Sequence, residues 1–590
     1  MTTLLRDHYR IKAYLILLFF VFGYALVVYR LYRLQILEHA ELREKAEKQH
    51  KRTVTIVPKR GTIYDRKGRE IAISVDTISL YAVPPQIEDK PAVAKAIAKM
   101  TGQNRRKVLQ SLLKKKQFVW IARKLNPAIL AKLESSGLEG VHALYESKRF
   151  YPHRTLAAGL LGIVGMDNEG LEGLEYNYDA YIKGRPGLFV ASVDAKRRNI
   201  MMDGEGYVKP SGANNLVLTI DNVIQHITEV ELKGAVEQYK AESGMAVMMR
   251  PYTGEILAMA SYPGFDPNDF GAYRPQDRRN RPIQENFEPG STFKLITLAA
   301  ALDAGVVKPK DIFFCENGAY RFRTTVYHDT HEYGWLTVRQ ILQRSSNIGA
   351  IKIAERLTNN NFYRYIRHFG FGQETGIDLP GESKGILRST KRWSGLSRAS
   401  LSMGQEISVT ALQVLTAAAA IANKGVRLQP HVVSRVMSPE GRTILERRPK
   451  VVTQIVSEST AALMMRAMES VVDKEKGTAP LAQVPGFRVA GKTGTAQKFD
   501  VKLGSYSTTK YVSSFVGVVP ADDPEIALIV IVNEPRGQLY YGGYVAAPAF
   551  RRIAERTLRY LKVFPENTPE LRLTLGEGNE APISAIKGSG

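Results

Sequence analysis

The sequence predicts a membrane-anchored α+β protein in which one N-terminal helix precedes two folded domains. Three features indicate this class. The chain of 590 residues is too long for a single hydrophobic core. Residues 13–29 form an apolar run without any charge. In the second half of the chain, strand patterns stand at both ends with helical patterns between them. This order favours one antiparallel sheet flanked by helices.

The composition is that of a globular protein with a strong basic excess. Hydrophobic residues make up 44% of the chain and charged residues 24%. Lys and Arg number 82 against 58 Asp and Glu, which gives a net charge of +24 and indicates an anionic neighbour such as membrane lipid or an acidic polymer. The excess is scattered and matches no nucleic-acid-binding motif, so nucleic acid is not an expected partner. A single cysteine, Cys315, excludes an intrachain disulfide.

Residues 13–37 are predicted to be a transmembrane anchor. The charge-free run together with the apolar residues that follow passes the roughly 20 residues that a spanning helix needs. A cleaved signal peptide is the alternative, but no small-residue cleavage site follows the run. Basic residues before the run place the tail, residues 1–12, in the cytoplasm and everything after residue 37 outside the inner (cytoplasmic) membrane.

Residues 38–213 are predicted to form a non-catalytic α+β pedestal. Residues 38–50 are charged and helical in pattern, and residues 53–58 have strand character. The segment from Arg60 to Ala72 reads as a β-hairpin around an Asp-Arg-Lys-Gly turn, with Arg60 and Arg66 expected to be exposed. Residues 89–140 read as short amphipathic helices with basic loops, and no catalytic group of residues is found in this part of the chain.

Residues 214–563 are predicted to form the second domain, and residues 564–590 a flexible tail. A long helix covers roughly residues 222–242, and strands are expected at residues 245–249 and 256–260. The chain then reads as largely helical to about residue 475. Strands return at residues 488–495, 511–519 and 526–532, before a terminal helix at about residues 546–562.

A possible nucleophile lies at the start of an apolar helix in this domain. Glu288-Pro-Gly-Ser-Thr-Phe-Lys294 contains a Pro-Gly turn, so Ser291 falls at a helix N-terminus with Lys294 one turn further on the same face. A helix N-terminus favours a developing oxyanion, and a buried, neutral lysine can act as the base for a serine. Alternatively, Ser291 is only a helix cap and Lys294 is solvated.

Two later motifs favour the catalytic reading. Ser345-Ser346-Asn347 opens another helical run, and Lys492-Thr-Gly-Thr495 lies on a predicted strand. Ser-x-x-Lys, Ser-x-Asn and Lys-Thr-Gly in this order are the motif set of penicillin-binding proteins and serine β-lactamases. The chain resembles the class B penicillin-binding proteins over residues 53–562. The Arg-Gly-Thr-Ile-Tyr-Asp-Arg hairpin near residue 60 and the Gly-Leu-Glu-Gly-Leu-Glu segment near residue 170 support this, and the residues before Ser291 look more like the cell-division member than the elongation member.

The resemblance implies D,D-transpeptidation of peptidoglycan stem peptides and acylation by β-lactams. Ser291 would attack the carbonyl between the two terminal D-alanines, and Lys294 would take its proton. Ser345 would relay a proton to the leaving D-alanine, and Asn347 would hold Lys294 and the substrate amide.

The same resemblance implies a binding role for the third motif. Lys492 would supply positive potential, and the hydroxyls of Thr493 and Thr495 would bind the substrate carboxylate. Gly494 would allow close backbone approach to the ligand. The N–H groups of Ser291 and Thr495 would form the oxyanion hole.

Several alternatives and partners follow from these readings. A serine β-lactamase, a D,D-carboxypeptidase, an elongation-type transpeptidase and an idle β-lactam sensor share the motifs. The resemblance implies a membrane-embedded glycan-strand polymerase of the SEDS type and other division proteins as partners, docked by the anchor and the pedestal; a passive spacer is the alternative. No cofactor is expected.

No metal site is expected either. The spacing of Cys315, His328, Asp329 and His331 matches no standard zinc pattern, and these residues are expected to be structural.

Overall fold

The computed structural model describes residues 2–56, 58–116, 118–193, 199–201, 212–500 and 504–565. By its contacts the chain divides into two compact units, residues 1–58 with 184–212 and residues 59–183 with 213–590. The domain limits drawn from the sequence stay predictions. The predicted flexible tail lies outside the described residues from residue 566 onward.

The elements of the first third of the chain alternate short helices with strands. Its helices are α1 (Thr2–Tyr32), α2 (His39–His50), α3 (Lys90–Thr101), α4 (Arg105–Leu112), α5 (Ile129–Ser136), α6 (Ala158–Leu161), α7 (Gly173–Asn177) and α8 (Asp179–Ile182). Its strands are β1 (Lys51–Ile56), β2 (Ile63–Tyr64), β3 (Glu70–Ala82), β4 (Val119–Leu125), β5 (Val141–Phe150), β6 (Gly187–Val193) and β7 (Asn199–Met201).

The remaining elements begin at residue 215. The helices are α9 (Asn222–Gln238), α10 (Arg281–Gln284), α11 (Lys294–Asp303), α12 (Val338–Arg344), α13 (Asn347–Glu355), α14 (Asn359–His368), α15 (Ser397–Ser402), α16 (Ala411–Ala422), α17 (Glu458–Glu469), α18 (Gly542–Val545) and α19 (Ala547–Leu561). The strands are β8 (Asn215–Leu218), β9 (Ser243–Met249), β10 (Ile256–Tyr262), β11 (Ile312–Phe314), β12 (Ala319–Phe322), β13 (Thr325–His328), β14 (Trp335–Thr337), β15 (Val426–Leu428), β16 (Val433–Met437), β17 (Thr443–Glu446), β18 (Val451–Gln454), β19 (Ala490–Asp500), β20 (Ser505–Val519) and β21 (Ile526–Asn533).

The first unit contains the predicted anchor helix. α1 continues through a π-helical turn, Arg33–Leu37, and α2 follows. The stretch Arg10–Leu37 is 28 residues long with a mean hydropathy of 2.3, and its apolar side chains are exposed. It is the one helix in the described part of the chain that is long and apolar enough to cross a membrane. The same unit holds a small antiparallel sheet in the order β1-β6-β7.

The pedestal hairpin predicted around residue 66 is confirmed. β2 and β3 pair antiparallel, and the Asp65 carboxylate closes the turn by accepting from the backbone N–H groups of Lys67 and Arg69 at 2.8 Å. β3 also pairs with β4 and β5 further along its length, in a sheet of order β17-β16-β8-β2-β3-β4. The helical prediction for residues 89–140 holds for α3 to α5 but missed β4, whose seven residues include two basic ones and carry a weak strand pattern.

The expectation that Arg60 is exposed is wrong. Its side chain is 1% exposed and forms an ion pair with Glu175, which is fully buried, at 2.9 Å. Arg149 reaches the other oxygen of Glu175 at 2.6 Å, and Arg60 also pairs with Asp179 at 2.5 Å. Arg66, paired with Glu255 at 3.7 Å, is 23% exposed. The alternation of residues within a hairpin does not show that a neighbouring segment covers one of its faces, so the burial of Arg60 could not be predicted from it.

The second domain has the predicted antiparallel sheet. Its strand order is β10-β9-β21-β20-β19, so the strands from the end of the chain complete a sheet that β9 and β10 begin. α16 packs against β9, β20 and β21, and α9 and α19 pack against the sheet and each other. The prediction that the segment between the two halves of the sheet is largely helical is wrong. It contains the helices α11 to α17, but the short strands β11 to β18 and loops separate them. β19 lies at one edge, and this edge positions the candidate site.

Candidate active site

Ser291 lies in a 3₁₀ turn, Gly290–Phe293, that runs directly into α11. Gly290 has φ +52°, and a Cβ on it would lie 3.2 Å from Cβ of Ala496 on β19. A glycine is therefore needed both for the left-handed conformation and for the close approach of the turn to the strand. Ser291 itself is half-buried at the edge of this contact. Its Oγ has no hydrogen-bond partner in the described ranges of the chain.

Lys294 begins α11 and is completely buried. Its Nζ donates to the backbone oxygen of Ser345 at 2.5 Å, to Oδ1 of Asn347 at 2.7 Å and to Oγ of Ser345 at 3.4 Å. Burial lowers the pKa of Lys294 to about 7, although Asp329 and Cys315 act to raise it. An amine with this pKa is neutral in a large fraction of molecules at neutral pH, as a general base must be.

The turn between α12 and α13 brings Ser345 and Asn347 to Lys294. Ser345 ends α12 in the left-handed conformation, with φ +60°. Ser346 caps α13 by accepting from the N–H of Gly349 at 2.9 Å. This capped turn directs the hydroxyl of Ser345 and the amide of Asn347 toward the same amine, so the two motifs form one hydrogen-bonded group.

Lys492 contacts the Ser345 hydroxyl from strand β19. It is fully buried on β19, and its Nζ donates to Oγ of Ser345 at 2.9 Å and to Oγ1 of Thr493 at 3.2 Å. Burial, with a further contribution from the nearby Lys294, lowers the pKa of Lys492 well below its usual value. The Ser345 hydroxyl therefore bridges two buried amines and is placed to pass a proton between them and a bound group.

The rest of the third motif continues along β19. Thr493 is buried, and its Oγ1 lies 3.3 Å from Oγ1 of Thr478. A Cβ on Gly494 would lie 2.3 Å from Oγ of Ser514 and 3.0 Å from the backbone oxygen of Pro289, so only glycine lets the strand pass the Ser291 turn this closely.

Thr495 lies at the outer end of the motif, next to a loop of aromatic residues. The Oγ1 of Thr495 accepts from the N–H of Gly542 at 3.0 Å. The two residues before Gly542 are stacked tyrosines, with ring centroids of Tyr540 and Tyr541 4.6 Å apart, and Tyr511 stacks on Tyr540 at 4.0 Å. These rings could not be predicted from the sequence, because their place beside β19 results from sheet pairing.

Asp329 belongs to this site, although the sequence indicated only a structural role for it. Its Oδ2 accepts from the Ser346 hydroxyl at 2.6 Å, and its Oδ1 accepts from the backbone N–H groups of Asn347 and Ile348, the latter at 3.2 Å. The carboxylate thus sits at the N-terminus of α13 and fixes the turn that carries Ser345 and Asn347. The only signal in the sequence was its place in a His-Asp-Thr-His stretch.

No metal centre is evident from the side chains described. Among these residues no group of three His, Cys, Asp or Glu side chains could hold a metal ion. Cys315 is buried, with its sulfur 3.5 Å from Oγ of Ser346. The site contains a serine at a helix start, a buried amine with a pKa of about 7, a hydroxyl that contacts two amines and a second lysine on the strand edge. Groups of these types could carry out acyl transfer.

The comparisons with known proteins agree with this geometry. The family model described as the penicillin binding protein transpeptidase domain matches residues 244–555, and the penicillin-binding protein dimerisation domain matches residues 55–218. The chain belongs to the penicillin-binding protein transpeptidase family.

Similar proteins match this chain along most of their length. The chain is 36% identical to stage V sporulation protein D of Bacillus subtilis, over 93% of this chain and 86% of that protein. It is 32% identical to the peptidoglycan D,D-transpeptidase FtsI of Escherichia coli, over 94% of this chain and 92% of that protein. The structure is similar to that of penicillin binding protein 3 of Mycobacterium tuberculosis complexed with ampicillin. The TM-score is 0.69 and the identity 28%, and the match covers 88% of this chain and 98% of that chain.

Proposed function

We propose that this protein is a class B peptidoglycan D,D-transpeptidase that cross-links stem peptides during septal cell-wall synthesis and is acylated by β-lactams. The single observation that carries the proposal is the buried amine of Lys294, held by Ser345 and Asn347 one turn from Ser291. Relatives named as peptidoglycan D,D-transpeptidases support the substrate class. The cell-division type of motif before Ser291 and the FtsI relatives support the septal role.

Acylation is the first half of the reaction. Neutral Lys294 takes the proton of Ser291 as Oγ attacks the carbonyl carbon between the two terminal D-alanines of a stem peptide. The tetrahedral oxyanion is stabilised by the backbone N–H groups of Ser291 and Thr495. The C–N bond breaks, and the leaving D-alanine takes a proton relayed through the hydroxyl of Ser345. An ester on Ser291 remains.

Deacylation by an amine completes the cross-link. The amine of a neighbouring stem peptide attacks the ester carbonyl, forms the new amide and gives up a proton, while Ser291 leaves and regains its own proton. Before acylation, the terminal carboxylate of the donor peptide is held by the Thr493 and Thr495 hydroxyls near Lys492, and Gly494 admits the peptide backbone; this carboxylate departs with the leaving D-alanine. No cofactor or metal is required at any step.

Covalent labelling tests the nucleophile. Intact-protein mass spectrometry after penicillin exposure should show one adduct on the wild-type protein and none on Ser291→Ala. Ser459→Ala, which removes an exposed serine of α17, should label like the wild type. An adduct that persists on Ser291→Ala would show that another residue is the nucleophile.

The protein is anchored in the inner membrane by residues 13–37, with the catalytic domain on the outer side. The apolar helix over Arg10–Leu37 and the basic residues before it support this orientation. The substrate polymer lies outside the membrane, so an external catalytic domain is also what the proposed reaction needs.

The anchor and the pedestal, residues 38–213, dock a glycan-strand polymerase of the SEDS type and other division proteins. A transpeptidase gains from a polymerase that delivers new strands at high local concentration, and the pedestal has no chemistry of its own. Because Arg60 is buried, reversing its charge would disturb folding and could not test docking. Docking is tested instead by exchanging residues 13–37 for an unrelated membrane anchor. Polymerase recovery on co-purification should fall while penicillin labelling is retained; unchanged recovery would favour a passive spacer.

A further inference from the structure

The outer part of the pedestal sheet has one face covered by helices and one face lined with aromatic rings. Side chains of β3, β4 and β5 such as Leu80 and Ile121 pack against α3, α4 and α5. The opposite side chains form what we term the aromatic face, made up of Tyr81, Phe118, Trp120, His142 and Leu144. Cross-strand pairing sets Tyr81 opposite both Trp120 and His142.

The rings of the aromatic face form one continuous surface. Tyr81 stacks on Phe118 with centroids 4.8 Å apart, Phe118 meets Trp120 edge-on at 4.9 Å, and Tyr81 lies 5.2 Å from His142. Phe118 and Leu144 are each 38% exposed, while Tyr81 and Trp120 are half-buried. Adjacent exposed apolar side chains on a folded domain are typical of an interaction site, and the active site described above does not use them.

The surroundings of the aromatic face are basic. Arg123 lies over the Trp120 ring at 4.6 Å, beside a bulge in β4 where Lys124 has φ +55°. Outside the helices that cover the opposite face, residues 113–128 contain five Lys and Arg and no Asp or Glu. Lys114, Lys115 and Lys116, all exposed, come just before Phe118. This charge indicates an anionic partner.

We propose that the aromatic face binds the glycan strand of peptidoglycan, with sugar rings stacked on the aromatic residues and the carboxylates of the stem peptides near the basic rim. This rests on the proposed function, which makes peptidoglycan the substrate. Flat aromatic rings with polar edges bind flat, amphipathic groups at low entropic cost. A sugar ring has C–H groups on its faces and hydroxyls at its edge. Arg123, which is paired with Glu146, lies over the Trp120 ring, and His142 lies 5.2 Å from Tyr81, so polar groups border the rings.

The sheet connects this face to the catalytic half of the chain. β3 has 13 residues and therefore spans about 40 Å, from its pairing with β2 to its pairing with β4 and β5. β2 in turn pairs with β8 at the start of the second domain. A glycan strand held on such a rigid element would keep its stem peptides at high local concentration near the enzyme.

Sedimentation with insoluble peptidoglycan sacculi tests the proposal. Full-length protein in detergent is first acylated with penicillin, so that the Ser291 site is occupied. Trp120→Ala and Phe118→Ala should each weaken sedimentation about tenfold, as expected for the loss of one stacked ring. Tyr145→Ala, which removes a 70% exposed ring of β5 outside the aromatic face, should leave sedimentation unchanged. Phe118 lies outside β4, so its variant keeps the test valid if Trp120→Ala fails to fold.

Competition identifies the ligand. Glycan chains stripped of stem peptides should compete with sacculi for the wild-type protein and not for Trp120→Ala. The proposal is overturned if both variants sediment like the wild type, if only free stem peptides compete, or if the variants lose binding to anionic phospholipid vesicles instead, since the last result would assign the face to a membrane surface. Failure of penicillin to label Ser291 would contradict the proposed function. The sedimentation results would still show whether the aromatic face binds glycan, because they do not depend on the reactivity of Ser291.

Discussion

At the residue scale, the site depends on taking two lysines out of water. Lys294 and Lys492 are both fully buried, and the main cause of each lowered pKa is desolvation of the charged form. Their partners are mostly neutral hydroxyl, carbonyl and amide groups, which can bind a neutral amine as well as a charged one. In the proposed reaction, this burial lets Lys294 act as the base at neutral pH.

The pH dependence of acylation should therefore follow Lys294. Below a pH of about 7 its amine is protonated and cannot accept the Ser291 proton, so the rate of penicillin acylation should rise with pH through about 7. Lys294→Ala should lose a factor of about 10²–10⁴ in this rate. Rapid-quench measurement of adduct formation across this range checks both. A rate independent of pH, or a normal rate in the variant, would exclude Lys294 as the base.

Asp329 should set where that pH profile lies. Burial lowers the pKa of Lys294 and the charge of Asp329 partly opposes this, so Asp329→Asn should lower the pKa further. The acid limb of the acylation profile should then move to lower pH. His331→Asn, an exposed change in the same loop, serves as the control and should leave the profile in place. An unmoved limb with only a lower melting temperature would mean that Asp329 acts as a helix cap alone.

At the element scale, the hairpin β2–β3 is joined to the segment around α7 by buried charges. Glu175 accepts from Arg60 and Arg149, and Asp179 reaches Arg60 as well. A buried carboxylate between two guanidinium groups is stable only while every partner is present, because each lone buried charge is costly. The Arg-Gly-Thr-Ile and Gly-Leu-Glu motifs are therefore two halves of one structural contact.

Breaking this contact should destabilise the pedestal strongly. Glu175→Ala leaves two buried arginines without their main partner and should lower the free energy of unfolding by about 3–5 kcal/mol. The adjacent Lys59 pairs with Asp76 at the surface, with side chains 56% and 64% exposed, so Lys59→Ala should cost at most about 1 kcal/mol. Thermal unfolding of the full-length protein in detergent compares the two. Equal, small effects would show that the buried network contributes little.

At the scale of the whole molecule, the chain combines one long apolar helix with the two domains that the family models match. One unit carries the anchor helix and a small sheet, and the other carries the pedestal core and the catalytic domain. Within the second unit the large pedestal sheet includes β8, β16 and β17 from beyond residue 213, so the pedestal and the catalytic part share backbone hydrogen bonds.

Retention of the anchor is the prediction for the intact protein. N-terminal sequencing of membrane-extracted protein should start at residue 1 or 2, because the apolar run is not followed by a cleavage site. Protease added outside spheroplasts should digest the catalytic domain and leave a short membrane-bound fragment. A mature start near residues 30–45 would mean a cleaved signal peptide, and protection of the catalytic domain would reverse the orientation.

The sequence alone determined the local parts of this protein. The motifs around Ser291, Ser345 and Lys492, the anchor helix, the hairpin near residue 66 and the strands of the catalytic sheet all follow from residue type and short-range periodicity, and the order of the three motifs indicated acyl transfer. Short strands such as β4 were missed, since a weak local pattern is outweighed there by pairing with a distant strand.

Only the tertiary structure decided which of these residues contact each other and which are buried from solvent. The burial of Arg60 depends on residues 108–119 positions away, the Ser345 bridge depends on Lys492 147 positions away, and the role of Asp329 depends on a turn 17–19 positions away. Desolvation and charge pairing act through space, so neither can be read from neighbours along the chain. These two effects fix the pKa of Lys294 and thereby determine whether the serine and lysine of a short motif form a catalytic pair or a helix cap with a solvated charge.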